Sequence, residues 1–137
     1  KDVLLNPRIM KKHLVQNQLN VKVLIIDDEV DICFLLSTLL KQKKIDTHYV
    51  NSLAEARIAL SAWNAEIVFL DNHLPDGMGM NFIEHIKSTL PQAKIVMITA
   101  YDTADDRKNA LSKGADSFIG KPFSRETIYR TIQELSN

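Results

Sequence analysis

The sequence is poor in several features that mark specialised classes of protein. It holds a single cysteine, Cys33, so no disulfide can form within the chain, and a reducing cytoplasm is the expected compartment. Its 17 basic and 17 acidic residues balance, which removes any bulk attraction to nucleic acid or to anionic membranes. Its apolar runs are far shorter than the ~20 residues that a membrane-spanning helix needs. We therefore expect neither direct nucleic-acid binding nor membrane insertion.

Other absences remove whole classes of enzyme site. The four histidines are scattered and, with one cysteine, give no zinc-binding spacing. Neither a Walker pattern nor a glycine-rich dinucleotide fingerprint follows a strand, so Gly77-Met78-Gly79 is not interpreted as a phosphate-cradling loop. No Gly-x-Ser-x-Gly motif indicates acyl transfer. The chemistry of this chain has to be sought among its carboxylates.

What is present is the composition of an ordinary globular domain. Apolar residues make up 45% of the 137 residues and charged residues 25%, enough for one domain with a full core. We expect a leader over residues 1–20 and a single domain over 21–137. Asn6-Pro7 favours a helix start in the leader, although a frayed segment is the simpler interpretation. Because the chain begins with Lys1, we expect it to be a processed or excised piece of something longer.

Apolar runs and helix signals alternate five times along the domain. Strands are predicted over residues 21–27, 45–50, 66–71, 94–99 and 115–119. Helices are predicted over residues 30–41, 52–62, 81–90 and 102–113, and from 124 onward. Short links between alternating strands and helices predict an α/β fold, with a doubly wound parallel sheet of five strands and five helices covering both faces.

Local signals define parts of these helices. Ser52 and Glu55, three residues apart, form a capping box that starts the second helix. In the first helix, Val30, Phe34 and Leu35 are predicted to form the stripe that faces the core.

Polar side chains follow four of the strands at the point where each strand ends. Asp27 and Asp28 follow the first strand, Asp71 ends the third, Thr99 ends the fourth, and Lys121 lies just beyond the fifth. Because the carboxyl ends of parallel strands share one edge of a sheet, these groups are expected to converge there. Crowded carboxylates with an open coordination shell suit Mg²⁺. A carboxylate can attack phosphorus, and Mg²⁺ with an ammonium group would neutralise the transferred charge, so Asp71 is predicted to be a phosphoryl acceptor.

These residues resemble a known family, the receiver domains of bacterial two-component response regulators (the CheY-like superfamily). The resemblance covers about residues 21–135 and rests on Val-Leu-Ile-Ile-Asp27-Asp28-Glu29, Phe-Leu-Asp71-x-x-Leu-Pro75-x-x-x-Gly79, Ile-Thr99-Ala100 and Lys121-Pro122-Phe123. It implies a flavodoxin-like sheet with strand order 2-1-3-4-5. It also implies a signalling switch that catalyses only its own phosphorylation and dephosphorylation, and that is not classed as an enzyme.

The resemblance assigns roles at the phosphorylation site. It implies that Asp71 accepts a phosphoryl group from a sensor histidine kinase or a phosphotransfer protein. Asp27, Asp28 and Asp71 would bind Mg²⁺ together with the backbone carbonyl of His73. Lys121 would contact the phosphoryl group, and its bond to Pro122 would be a cis peptide.

The resemblance also assigns the switch. Thr99 would be the hydroxyl that follows the phosphoryl group, Ala100 would leave that group accessible, and Phe118 would be the aromatic residue whose rotamer follows Thr99. The surface from the fourth helix through the fifth strand to the last helix would then control a downstream partner or output domain that the sequence does not name. The oligomeric state implied is a monomer or a phosphorylation-dependent dimer.

Two departures from the family pattern stand out. Met78 occupies the position before Gly79 where the family often has aspartate, a change expected to affect the start of the next helix rather than the chemistry. His73 and Tyr101 lie two residues after Asp71 and Thr99. We expect their bulk to slow the attack of water and to lengthen the lifetime of the phosphorylated form.

Two other functions remain as alternatives. An aspartate-nucleophile phosphohydrolase of the haloacid-dehalogenase kind also begins with an apolar strand that ends in Asp. That class requires Asp-x-Asp, which would place the second acid at Glu29, and it carries a cap insertion that this sequence lacks room for. The other alternative is a receiver-like interaction domain that is never phosphorylated, against which the complete set of acids, Thr99 and Lys121 argues.

Overall fold

The computed structural model describes residues 21–136, and the predicted leader lies outside these described residues. Within them, five parallel strands form one sheet: β1 Lys22–Ile26, β2 Asp46–Val50, β3 Ile67–Asp71, β4 Lys94–Thr99 and β5 Ser117–Gly120. Their spatial order is β2-β1-β3-β4-β5, with β1 and β4 flanking the central strand β3. This confirms the flavodoxin-like order that the resemblance to receiver domains implies.

Five α-helices connect or follow the strands: α1 Val30–Gln42, α2 Leu53–Ala62, α3 Ile83–Thr89, α4 Ala104–Ser112 and α5 Arg125–Leu135. A hairpin of two-residue strands, His73–Leu74 with Gly77–Met78, and a 3₁₀ turn, Gly79–Phe82, fill the link from β3 to α3. None of the helices in residues 21–136 is both long and apolar enough to span a bilayer.

Several predicted boundaries are wrong by a few residues. The third helix is α-helical only from Ile83, because a 3₁₀ turn precedes it. The fourth begins at Ala104 rather than at residue 102, since the Thr103 side chain caps it by accepting a hydrogen bond from the Asp106 amide. β5 starts two residues later than predicted and includes Gly120.

The core forms two layers, one on each side of the sheet. All five residues of β3 are buried, as expected for a central parallel strand. Alternate strand residues point to opposite sides, so Phe69 belongs to one apolar cluster and Leu70 to the other. Helices α1 and α5 cover the Phe69 side, whereas α2, α3 and α4 cover the Leu70 side. Two covered faces leave the strand ends as the place where polar groups can gather.

The predicted inward face of α1 is wrong. Val30, Phe34 and Leu35 are 61%, 71% and 44% exposed. The buried stripe consists instead of Cys33, Leu36, Ser37 and Leu40. Successive helical residues are turned by about 100°, so this stripe leaves Phe34 about a quarter turn from the core. The apolar side chains at the start of α1 are therefore a surface feature.

Hydrogen bonds from two segments of the chain stabilise the start of α2. The Ser52 hydroxyl accepts from the Glu55 amide at 3.1 Å, which confirms the predicted cap, while the Glu55 carboxylate accepts from the Asn51 amide at 2.9 Å. Asp76, in the link after β3, accepts from the first two amides of the helix at 2.8 and 2.9 Å. These hydrogen bonds lower the pKa of Asp76 below its ordinary value. The Asp76 side chain thus ties the link that follows Asp71 to α2.

Candidate functional site

Three carboxylates meet at the carboxyl edge of the sheet. Asp27 follows β1 and Asp71 ends β3, and these strands are neighbours, with Ile26 paired to Leu70. Carboxylate oxygens of Asp27, Asp28 and Asp71 all lie within 4.8 Å of one another. Asp27 and Asp71 are buried, whereas Asp28 is exposed. The structure therefore brings together the acids that the sequence singles out.

Hydrogen bonds hold Asp27 in place. Its amide donates to the carbonyl of Val50 at 3.1 Å, and its own carbonyl accepts from the Asn51 side-chain amide at 2.9 Å. Its carboxylate Oδ1 accepts from the Glu29 amide at 2.8 Å. Sequence reasoning missed Asn51, because its partner lies 24 residues away. With Oδ1 engaged, Oδ2 is the oxygen that remains for a cation.

The link after Asp71 is folded tightly against it. The Gly79 amide donates to the Asn72 carbonyl at 2.8 Å, and the buried Asn72 side chain accepts from the Met80 amide at 2.9 Å. A Cβ at Gly79 would overlap the carbonyl oxygen of Asp71, so only glycine fits there. Met78, the unusual neighbour of Gly79, is 41% exposed and provides no side-chain cap for the 3₁₀ turn. Asn72 is a further residue that the sequence analysis overlooked.

Lys121 brings the positive charge to this edge. Its amide donates to the Thr99 carbonyl at 2.7 Å, and its bond to Pro122 is cis, as the resemblance implied. Its ammonium nitrogen lies 2.9 Å from Asp27 Oδ2 and 3.6 Å from Asp71 Oδ1. A third carboxylate, that of Glu29, accepts a hydrogen bond from it at 2.7 Å. The Glu29 contact was not anticipated from the sequence.

Burial and crowding perturb the pKa values at this edge. Burial, followed by the charges of Asp27 and Asp28, raises the pKa of Asp71 to about 7, although Lys121 and the His73 amide oppose the rise. Burial likewise raises the pKa of Asp27. Burial by itself would lower the pKa of Lys121, but hydrogen bonds to Glu29 and Asp27 raise it above its ordinary value. The negative charge of the carboxylates at this edge therefore exceeds what the Lys121 ammonium neutralises.

The residues present fit a divalent cation. Asp27 Oδ2 pairs with the Lys121 ammonium at 2.9 Å, and the raised pKa values of Asp27 and Asp71 indicate that this one ammonium does not neutralise the buried acids. The other donors are carboxylate oxygens of Asp28 and Asp71, and hard oxygen ligands are those that Mg²⁺ and Ca²⁺ prefer. The resemblance adds the backbone carbonyl of His73, in the hairpin that follows Asp71, as a further ligand.

The next strand end carries Thr99, which is buried. Its hydroxyl accepts from the Tyr101 amide at 3.1 Å. Ala100 is exposed, and the Tyr101 side chain is 60% exposed. The Tyr101 ring meets the His73 ring edge to face, with 4.6 Å between centroids. The two bulky residues that flank Asp71 and Thr99 are therefore in contact with each other.

Phe118 points inward. It is 8% exposed and belongs to the core cluster on the α4 side of the sheet. The Arg107 guanidinium of α4 lies 4.8 Å from the centre of the Phe118 ring and pairs with both carboxylate oxygens of Asp102 at 2.9 and 3.0 Å. Asp102 and Arg107 have no role in the sequence analysis, since nothing in their spacing marks a contact with Phe118.

Comparisons with known proteins agree with this geometry. A family model described as "Response regulator receiver domain" matches residues 23–133. The response regulator protein PilR of Pseudomonas aeruginosa is 40% identical over 101 residues, which are 74% of this chain and 23% of PilR. The chain spans about half of the next curated relatives, which are transcriptional regulatory proteins.

Two solved structures are close in fold. One is a response regulator protein from Burkholderia pseudomallei with a phosphorylated aspartic acid, calcium ion and citrate (TM-score 0.79, 25% identity, 85% of this chain and 68% of that one). The other is the beryllofluoride-activated NtrC4 receiver domain dimer (TM-score 0.80, 34% identity, 83% and 94%). The fold and the acidic cluster agree with the family match, and the chain belongs to the response regulator receiver domain family of two-component systems.

Proposed function

We propose that this receiver domain accepts a phosphoryl group on Asp71 from the phosphohistidine of a sensor histidine kinase or a phosphotransfer protein. The observation that carries the proposal is the placement of the buried Asp71 carboxylate beside two other carboxylates, with the Lys121 ammonium 3.6 Å from Asp71 Oδ1. A receiver relative with a phosphorylated aspartic acid supports it. We expect this to occur in the cytoplasm.

The transfer is a displacement at phosphorus. An Asp71 carboxylate oxygen forms a bond to phosphorus while the bond from phosphorus to the histidine nitrogen breaks. The electron pair of that bond leaves with the imidazole, which regains a proton from water. Lys121 stabilises the charge on the phosphoryl oxygens, and its buried position strengthens that attraction. The small side chain of Ala100 leaves these oxygens accessible.

Asp27, Asp28 and Asp71, with the His73 carbonyl, would hold Mg²⁺ in this proposal. The ion supplies charge neutralisation for the carboxylates and for the transferred phosphoryl group. Asp27 would contribute its buried Oδ2, which pairs with the Lys121 ammonium at 2.9 Å in this structure. The exposed Asp28 leaves one side of the cluster open to water.

Phosphorylation would act on a surface formed by α4, β5 and α5. The new phosphoryl oxygens attract the Thr99 hydroxyl away from the Tyr101 amide, to which it is now bonded. The space that Thr99 leaves favours a different rotamer of Phe118, and this biases the α4-β5-α5 surface toward binding a partner, an output domain or a second copy of the domain. The beryllofluoride-activated relative is described as a dimer, which supports the last option.

The domain would catalyse only its own phosphorylation and dephosphorylation and would not be a turnover enzyme. A phosphohydrolase is the less favoured alternative, because its Asp-x-Asp motif would be Asp27-x-Glu29 here, with glutamate in place of the second aspartate, and Glu29 contacts Lys121. Neither a membrane nor nucleic acid is proposed as a direct partner of this domain.

The test uses acetyl phosphate with Mg²⁺, followed by mass spectrometry of the intact protein and of its peptides. We expect one phosphoryl group on the parent chain, located at Asp71, and none on the Asp71→Asn variant. Labelling at another residue, or no labelling of the parent, would contradict the proposal. Repeated turnover of a small phosphomonoester would favour the phosphohydrolase alternative.

A further inference from the structure

Glu29 holds the ammonium group on which the proposed phosphoryl transfer depends. Lys121 Nζ donates to Glu29 Oε1 at 2.7 Å, and this is its shortest carboxylate contact; Asp27 lies at 2.9 Å and Asp71 at 3.6 Å. The Lys121 side chain is 8% exposed, whereas that of Glu29 is 58% exposed. Glu29 therefore approaches a buried cation from the solvent side.

The Glu29 backbone is held by a hydrogen bond, whereas its side chain is exposed. Its amide donates to Asp27 Oδ1 at 2.8 Å, so the residue is anchored within the acid cluster. Its side chain belongs to the exposed turn before α1 and can swing toward water when the ammonium moves. A flexible carboxylate at this position can release Lys121 without disturbing the core.

An ammonium group has three protons to donate. In this structure three carboxylates surround the Lys121 nitrogen, those of Glu29, Asp27 and Asp71, the last at the longest distance. A phosphoryl group on Asp71 needs one or more of these protons for its own oxygens. It obtains them when the ammonium turns from Glu29 toward the Asp71 side, which weakens the contact with Glu29.

We propose that Glu29 competes with the phosphoryl group for Lys121 and so limits how readily Asp71 is phosphorylated. This inference rests on the proposed function. The charge of Glu29 acts in the same direction as its hydrogen bond, because a further carboxylate beside Lys121 repels the incoming phosphoryl oxygens. Glu29 is thus a positioning residue that acts through Lys121.

The test measures the affinity for beryllofluoride with Mg²⁺ and the rate of phosphorylation by acetyl phosphate. Glu29→Gln keeps the length of the side chain but removes its charge, and we expect about two- to fivefold tighter binding and faster labelling, as for loss of a partly exposed ion pair. A damaged fold would lower both quantities, so an increase separates positioning from a structural role.

Two variants separate the effect of the direct contact between Glu29 and Lys121 from that of negative charge nearby. Glu29→Asp keeps the charge but withdraws it from Lys121, and we expect a smaller increase in the same direction. Asp31→Asn removes one exposed charge on the first turn of α1, and we expect little change.

Equal increases in Glu29→Gln and Asp31→Asn, or no increase in Glu29→Gln, would overturn the inference. A parent chain that binds no beryllofluoride and takes no phosphoryl group would instead contradict the proposed function.

Discussion

The Arg107 guanidinium lies 4.8 Å from the centre of the Phe118 ring, and it pairs with Asp102, three residues after Thr99. It also donates to the carbonyl of Phe118 at 3.5 Å. One side chain of α4 thus connects the segment that follows the proposed switch hydroxyl to the proposed switch aromatic. This arrangement stabilises the inward rotamer of Phe118, because that rotamer places the ring face toward the cation.

Removing this cation should loosen Phe118. For Arg107→Gln we expect a loss of about 1 kcal/mol in the free energy of unfolding, since a cation–π contact and a surface ion pair are each worth about 0.5 to 1 kcal/mol. Denaturant unfolding measures the loss, and NMR measures the mobility of the ring. Arg107→Lys keeps the charge but not the planar guanidinium, so its loss in free energy of unfolding should be smaller than that of Arg107→Gln. An unchanged Phe118 ring in Arg107→Gln would show that core packing alone fixes the rotamer.

The raised pKa of Asp71 predicts a pH-dependent stability in the absence of metal. The folded chain holds a proton on Asp71 up to about pH 7, whereas the unfolded chain releases it near 3.8. The free energy of unfolding should therefore fall as the pH rises between these values, by about 4 kcal/mol at most. Asp71→Asn should be more stable than the parent at pH 8 in EDTA and equal to it near pH 4. Parallel pH profiles for the two proteins would contradict this prediction.

Binding of Mg²⁺ should stabilise the fold, because a ligand that binds only the folded state adds free energy of unfolding. The gain is about 2.7 kcal/mol at a concentration of one hundred times the Kd. Thermal unfolding with and without Mg²⁺ measures it. Asp28→Asn should lose most of the gain, and because Asp28 is exposed its removal leaves the core intact. Asp31→Asn is the matched control that should keep the gain, and a loss there would indicate nonspecific charge screening.

The contact between His73 and Tyr101 predicts a long-lived phosphorylated form. Their rings meet edge to face with 4.6 Å between centroids, so together they cover more of the approach to Asp71 than either would alone. The double variant His73→Ala, Tyr101→Ala should lose its phosphoryl group faster, by up to about tenfold, which corresponds to about 1.4 kcal/mol of barrier. The decay of labelled protein after removal of the donor measures this. If the double variant keeps its label as long as the parent, bulk at these positions does not control the lifetime.

The exposed side chains of Val30 and Phe34 lie at the start of α1, which follows the acid cluster directly. A protein that delivers phosphohistidine to Asp71 must cover this edge of the sheet, so we expect it to contact Phe34. Phe34→Ser should slow transfer from the phosphorylated donor protein and leave labelling by acetyl phosphate unchanged. Slowing of both reactions would mean that the substitution had damaged the site itself.

The sequence by itself determined the succession of strands and helices along the chain. It also determined which acids, hydroxyl and lysine lie at the strand ends. These follow from local patterns: apolar runs that suit buried parallel strands, and the rule that the carboxyl ends of such strands share an edge. The Ser52 cap could also be predicted from the sequence, because its partner is three residues away. The cis bond before Pro122, by contrast, was implied by the resemblance to the receiver family, and the structure confirms it.

Only the tertiary structure decided which face of α1 is buried, since Phe34 and Leu36 are both apolar and the sheet selects between them. It likewise decided the partners of charged side chains. Glu29 and Lys121 are 92 residues apart, and Asp76 caps a helix that begins 23 residues before it. Such contacts depend on how whole elements pack, and no local periodicity encodes them. The groups that surround the proposed phosphorylation site are therefore set by the sequence, whereas their competition for Lys121 is set by the fold.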